Sequence, residues 1–220
     1  VAIQKAQLHR LALKKREYDK ELQVARNIQQ ALLPKVMPAV KGLALAGLNI
    51  SSHRVGGDFY DANKMADGHL NIAIGDVSGK GVPGAIMMAS LSAIYRSHVR
   101  RGQPVHKIAE RVNKEFRRSL MSGNFATFFL ADIDQKKLTM EYTNAGHNPP
   151  LLIHKNGSYQ PLKATGTILG LQDETKYERE IVQLRPGDLL FLYTDGVTEA
   201  QDARGQLFGE KRLISVLRQH

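Results

Sequence analysis

No cysteine occurs among the 220 residues, which removes thiolate nucleophiles, disulfides and Cys-ligated zinc or iron–sulfur centres in one step. That absence fits a reducing, cytoplasmic setting. No apolar run reaches the roughly 18 residues needed to cross a bilayer. The opening VAIQKAQLHR is neither a signal peptide nor a lipidation motif, so no membrane role is expected of this stretch. It begins at Val1 and therefore reads as a piece of a longer protein. Internal repeats and low-complexity segments are lacking too.

What charge there is lies in two places. The net charge of +10 suggests nucleic acid until its position is considered. Residues 1–35 hold eight Lys/Arg against three acids, and residues 96–118 eight against two. The remainder is close to neutral. Both basic stretches read as helices without interleaved aromatics, which suits acidic protein surfaces better than nucleic acid.

Residues 1–33 contain no Gly or Pro and are rich in Gln, Lys, Arg, Ala and Leu, so they form one helical linker that stops before Pro34. Leu8, Leu11, Tyr18, Leu22, Ala25 and Leu32 follow a heptad-like spacing interrupted by Lys15 and Gln29. Such a weak seam suits either a dimeric coiled coil or packing on its own domain. Residues 34–220 form the second unit. There the short apolar runs LALAGLNIS, HLNIAIGDV, NFATFFLADID, LTMEYTNAG, PLLIHKNG, EREIVQL and DLLFLYTDG have strand length and are bounded by turn residues. Helices are expected at about 82–100 and 104–121 and in GEKRLISVLRQ. Strands joined by short turns pair antiparallel, so the class is α+β with helices layered on sheets.

Three aspartates share one context, a glycine-rich turn beside an apolar strand: Asp58 in VGGDFYD, Asp76 in IAIGDVSGKG and Asp195 in LLFLYTDGVTE. The first stretch is poor material for a core strand and good material for a tight turn holding a carboxylate. Glycine there lets backbone carbonyls approach a ligand closely. Carboxylates gathered in a partly dry cleft repel one another unless a cation lies between them, either Arg/Lys or a hard divalent ion. Oxygen ligands without a His or Cys cluster favour Mg²⁺ or Mn²⁺. Two such ions would activate a bridging water and clamp a phosphoryl oxygen, so no protein nucleophile is required.

The ordered series ARNIQQALLP, VGGDFYD, IGDVSGKG followed by a helix, AGHNPP and YTDGVTE resembles the bacterial branch of the metal-dependent protein phosphatases of the 2C type. Within that branch it is most similar to the subgroup of the sporulation stage II phosphatase and the stress-response sigma-factor regulators. The resemblance runs from about Ala25 to the end. It implies an α/β/β/α sandwich of two antiparallel sheets, two Mn²⁺ or Mg²⁺ ions, and hydrolysis of phosphoserine or phosphothreonine on a small anti-sigma-factor antagonist. It also implies an upstream sensor domain. By the same resemblance Asp58 and Asp76 bind metal with Asp76 the preferred bridge, Val77 contributes its carbonyl, and Asp195 holds the second ion. Asp61 is either a ligand or a turn-orienting side chain. The family's closing Asp-Asp-x-Thr strand, with a further metal-binding aspartate, is not found before His220, so the second unit is expected to lack its last strand.

Three further positions carry alternatives. His147 in AGHNPP is either a proton donor to the leaving oxygen or a turn-shaping residue bonded to backbone. Lys80 in SGKG either meets phosphate or is simply solvated. Met87 and Met88 read as core residues of a helix whose rotation would move Val77, and in this family that region takes part in switching. A cyclase of the GGDEF type is disfavoured because Phe59 stands where its glutamate would be. The remaining alternative is a pseudophosphatase that keeps the fold and binds a partner without turnover.

Overall fold

The hydrogen-bond ladders of two antiparallel sheets order this chain. The computed structural model describes residues 2–51, 55–99, 102–120 and 123–219. The elements are α1 (Ala2–Leu32), β1 (Asp58–Lys64), β2 (Leu70–Val77), α2 (Val82–Val99), α3 (Val105–Ser119), β3 (Ala126–Asp134), β4 (Thr139–Ala145), β5 (Leu151–Ile153), β6 (Tyr159–Pro161), β7 (Glu180–Gln183), β8 (Leu189–Phe191), α4 (Asp195–Thr198) and α5 (Gly209–Leu217). Val1, Arg100 and Met121, included in the expected helices, lie outside the described residues, as does the side chain of Leu8. One sheet has the order β1-β2-β3-β4-β7 and the other β6-β5-β8.

Period-two alternation sorts the side chains into layers. On β2, Leu70, Ile72 and Ile74 enter the core between the sheets, with Phe129, Ile133, Met140, Leu152 and Val182. Ala73 and Val77 face the other way, joining Phe59, Phe128 and Leu130 under α2 and α3. α3 presents Val105, Ile108, Ala109, Val112 and Phe116 to that layer at helical spacing. α5 closes the far side, with Leu213 packed on Leu151, Ile153 and Tyr193. The result is the expected α/β/β/α sandwich.

Two local expectations are corrected. VGGDFYD, read as a turn, enters strand β1 at Asp58: Phe59 and Asp61 point to the helix layer, and Phe59 stacks on Phe128 at 6.1 Å. LALAGLNIS, read as a strand, forms no ladder. Leu43 and Leu45 pack against the inter-sheet core, whereas Leu48 and Ile50 stay 80% and 78% exposed.

At the β1–β2 turn, His69 Nδ1 lies 2.6 Å from Asp132 Oδ2 and Nε2 lies 3.6 Å from Asp134 Oδ2. The Asp132 hydrogen bond raises the imidazole pKa above its usual 6.5, against partial burial. A raised pKa means the folded chain binds the proton more tightly, so this contribution is complete below pH 6.5 and fades as pH climbs through the raised value. His69→Ala should therefore destabilise the chain at pH 5.5 by roughly 1 kcal/mol or less, typical of a partly exposed pair. Denaturant melts at pH 5.5 and pH 9 should differ in that direction; an equal loss at both would refute the ionic origin.

Candidate metal centre

The β1–β2 register sets Asp58 directly opposite Asp76. Asp76 continues the Leu70, Ile72, Ile74 face, and Asp58 precedes Tyr60 on the matching face of β1, so both carboxylates sit at one end of the space between the sheets. Leu190 and Leu192 point into the same space from the β8 segment. Two residues on, Thr194 follows that direction, and its Oγ1 donates to Asp58 Oδ2 at 3.1 Å. Asp195 comes next, exposed at the start of α4.

Like charges directly opposite on a ladder repel, and the electrostatics here express that cost. Burial first, then the charge of Asp58, a hydrogen bond to it and the charge of Asp195, push the Asp76 carboxyl up to about 7. Asp58 is raised as well, chiefly by burial, while its hydrogen bonds from Asp76 and Thr194 act against the rise. Both carboxyls are thus biased toward the protonated form. A divalent cation is the other way to relieve the repulsion.

The backbone is shaped for the same purpose. A Cβ on Gly57 would lie 2.2 Å from the Val77 carbonyl oxygen and 3.1 Å from Asp76 Oδ1, so only glycine leaves room for a carbonyl beside the two carboxylates. Gly84 of α2 packs equally tightly on the loop after β2, since a Cβ there would meet the Gly79 oxygen at 2.4 Å. Hard oxygen donors of this kind fit Mg²⁺ or Mn²⁺. Among the described residues, however, no three carboxylate or imidazole side chains converge on one point. The centre is a pair of opposed carboxylates with Asp195 within electrostatic reach.

The other sequence candidates lie elsewhere. Asp61 faces the helix layer, where Oδ2 accepts from Arg96 Nε at 2.6 Å and Oδ1 from the Ala62 amide at 2.9 Å. It does not join Asp58 and Asp76. Lys80 is exposed in the loop between β2 and α2. His147 is buried, and burial pushes its imidazole down to about 4 despite the Tyr193 carbonyl it bonds.

Two contributors escaped the sequence reading. The Gln29 amide clamps Gly56, its Nε2 donating to the Gly56 carbonyl and its Oε1 accepting from the Gly56 amide at 3.1 Å. Arg96 Nη2 donates to the Leu32 carbonyl at 2.6 Å. Gln29 left a trace in the sequence as the polar interruption of the heptad seam. Arg96 left none within its basic block.

The chain is similar to several known proteins. A family model described as stage II sporulation protein E (SpoIIE) matches residues 66–220. Phosphoserine phosphatase RsbU of Bacillus subtilis (strain 168) is 30% identical over 192 residues, covering 87% of this chain and 57% of RsbU. Among solved structures, the RsbU and RsbW domains of Rv1364c from Mycobacterium tuberculosis align at 27% identity and TM-score 0.66, over 77% of this chain and 47% of that one. The SiaA-PP2C domain of Pseudomonas aeruginosa shares the fold at TM-score 0.76 and 24% identity, over 94% and 84% of the two chains. The chain thus spans little more than half the length of RsbU.

The raised Asp76 pKa predicts a cost in the metal-free protein. Between pH 4 and pH 7 the folded chain keeps a proton that the unfolded chain loses, so stability falls as pH rises through that window. Asp76→Asn should leave the metal-free melting temperature nearly unchanged at pH 4 and raise it at pH 8. A variant less stable than wild type at pH 8 would contradict the repulsion.

Proposed function

This chain belongs to the SpoIIE family, and on that premise we propose that it hydrolyses phosphoserine or phosphothreonine on a small regulatory protein, an anti-sigma-factor antagonist. Asp58, Asp76, the Val77 carbonyl and Asp195 would hold two Mn²⁺ or Mg²⁺ ions. The observation that carries this reading is the Asp58–Asp76 pair facing each other across a ladder, with Gly57 leaving the Val77 carbonyl open. When bound, divalent ions neutralise the carboxylates, polarise a phosphoryl oxygen and acidify water.

The chain's own residues define the rest. The Asp58–Asp76 pair must give up any bound proton on loading, which the near-neutral Asp76 pKa makes inexpensive at physiological pH. Thr194 orients Asp58. Lys80, exposed three residues after Val77, would meet an incoming phosphate as a solvated charge. No covalent phosphoenzyme is involved.

Outer-shell partners of a metal typically alter affinity or activity by about 10–100-fold, so loss of a direct ligand should cost more. Asp76→Asn should therefore lower manganese-dependent hydrolysis of a phosphoserine peptide by more than about 100-fold with the fold intact by circular dichroism, and EDTA should abolish the wild-type activity. Near-normal turnover in the variant would refute the assignment. A wild-type chain without any manganese-dependent hydrolysis would support the pseudophosphatase alternative.

Control of this centre is proposed to run through α1, pairing with a second copy of the chain and answering to an upstream sensor domain. Leu11 and Tyr18 stand seven residues apart, 63% and 59% exposed, on a 31-residue helix. The C-terminal end of that helix reaches the metal turn through Gln29 and Gly56, and α2 through Leu32 and Arg96. Any shift of the paired helices would thus be felt at Asp58. Replacing Leu11 and Tyr18 with Gln should convert a dimer to a monomer in sedimentation and change the phosphatase rate. An unchanged mass together with an unchanged rate would reduce α1 to a packed extension.

A further inference from the structure

His147 lies outside the carboxylate cluster yet links the five-stranded sheet to the segment that leaves β8. Thr127 pairs with Asp76 across the β2–β3 ladder and precedes Phe129 on the inter-sheet face, so its hydroxyl sits beside the candidate centre. His147 Nδ1 is 2.7 Å from Thr127 Oγ1 and Nε2 is 3.1 Å from the Tyr193 carbonyl oxygen. A carbonyl only accepts, so the ring proton is on Nε2, and Nδ1 accepts from the Thr127 hydroxyl. Thr194, next after Tyr193, bonds Asp58. Asp58, Asp76, Thr127, His147, Tyr193 and Thr194 thus close a ring through three hydrogen bonds, two ladder pairings and one peptide link.

The histidine is itself pinned. Its amide donates to Asn144 Oδ1 at 2.7 Å, and Asn144 Nδ2 donates back to the His147 carbonyl at 3.1 Å and to the Leu162 carbonyl at 3.0 Å. His147, Asn144 and Tyr193 are all buried. The five-stranded and three-stranded sheets share no ladder, and the apolar contacts between them are non-directional. Directional bonds are needed to fix how far Thr194 and Asp195 reach toward Asp58 and Asp76.

We propose that His147 is a positioning residue, a neutral strut between Thr127 of the five-stranded sheet and the Tyr193 carbonyl in the segment that leaves β8, and that it sets the position of Asp195 in the metal centre. The inference rests on the metal-centre reading above. With both ring nitrogens engaged inside the fold, His147 does not serve as the proton donor to a leaving group.

The test compares Thr127→Val, Thr127→Ser and His147→Phe with the wild-type chain. It reads manganese affinity by calorimetry and, without metal, hydrogen exchange of the Val197 and Glu199 amides, which bond to the Thr194 and Asp195 carbonyls. Thr127→Val and His147→Phe should weaken manganese binding about tenfold or more, in line with other outer-shell partners. Both should speed exchange at Val197 and Glu199 and leave the β1–β2 ladder amides unchanged, whereas Thr127→Ser should behave as wild type. Wild-type affinity and exchange in both Thr127→Val and His147→Phe would overturn the strut. Equal acceleration in the β1–β2 ladder would overturn positioning in favour of stability alone. A wild-type chain that binds no manganese would instead overturn the metal-centre reading.

Discussion

Two carboxylates placed opposite each other on an antiparallel ladder are the constraint to which the rest of this molecule answers. Asp58 and Asp76 face one another in register, a position where like charges destabilise. The strain shows in the Asp76 carboxyl, pushed up to about 7, and Asp58 takes a hydrogen bond from the Thr194 hydroxyl. Two carboxylates left in this position cost stability unless a proton or a cation relieves them. Gly57 makes the same point sterically, because any side chain there would occupy the place of the Val77 carbonyl.

The layers around this pair divide the work by alternation. One face of β1 sends Asp58 toward the space between the sheets, and the other sends Asp61 to Arg96 under the helices. Neighbouring aspartates of one motif therefore serve opposite sides of the sheet. Asp61 ties β1 to α2, and Arg96 carries that tie on to the Leu32 carbonyl at the end of α1. Gln29, three residues earlier, holds Gly56 just before the carboxylate turn. The N-terminal helix thus has two polar connections to the strand that bears Asp58, one on each side of it. The Met87 and Met88 pair is core, as α2 requires.

Membership of the SpoIIE family accords with this arrangement. The two basic blocks lie in the helical stretches 1–35 and 96–118 rather than beside the opposed carboxylates. Among the described residues, no helix is long and apolar enough to cross a membrane.

Much of this was legible in the amino-acid order because it depends on local rules. The absence of Gly and Pro over residues 1–33 foretold α1, the turn-bounded apolar runs foretold most strands, and the glycine–aspartate turns marked Asp58, Asp76 and Asp195. Local rules failed where pairing decides. VGGDFYD has turn-like composition but its last four residues open β1 because β2 offers them a ladder, whereas LALAGLNIS has strand composition and pairs with no strand. Asp61 and Arg96 are 35 residues apart, and His147 and the Tyr193 carbonyl 46. Their roles were settled only when register and facing brought them together. A sequence specifies which residues can bond or repel, but the distance between them is a property of the folded chain, and both the strain at Asp76 and the strut at His147 are matters of distance.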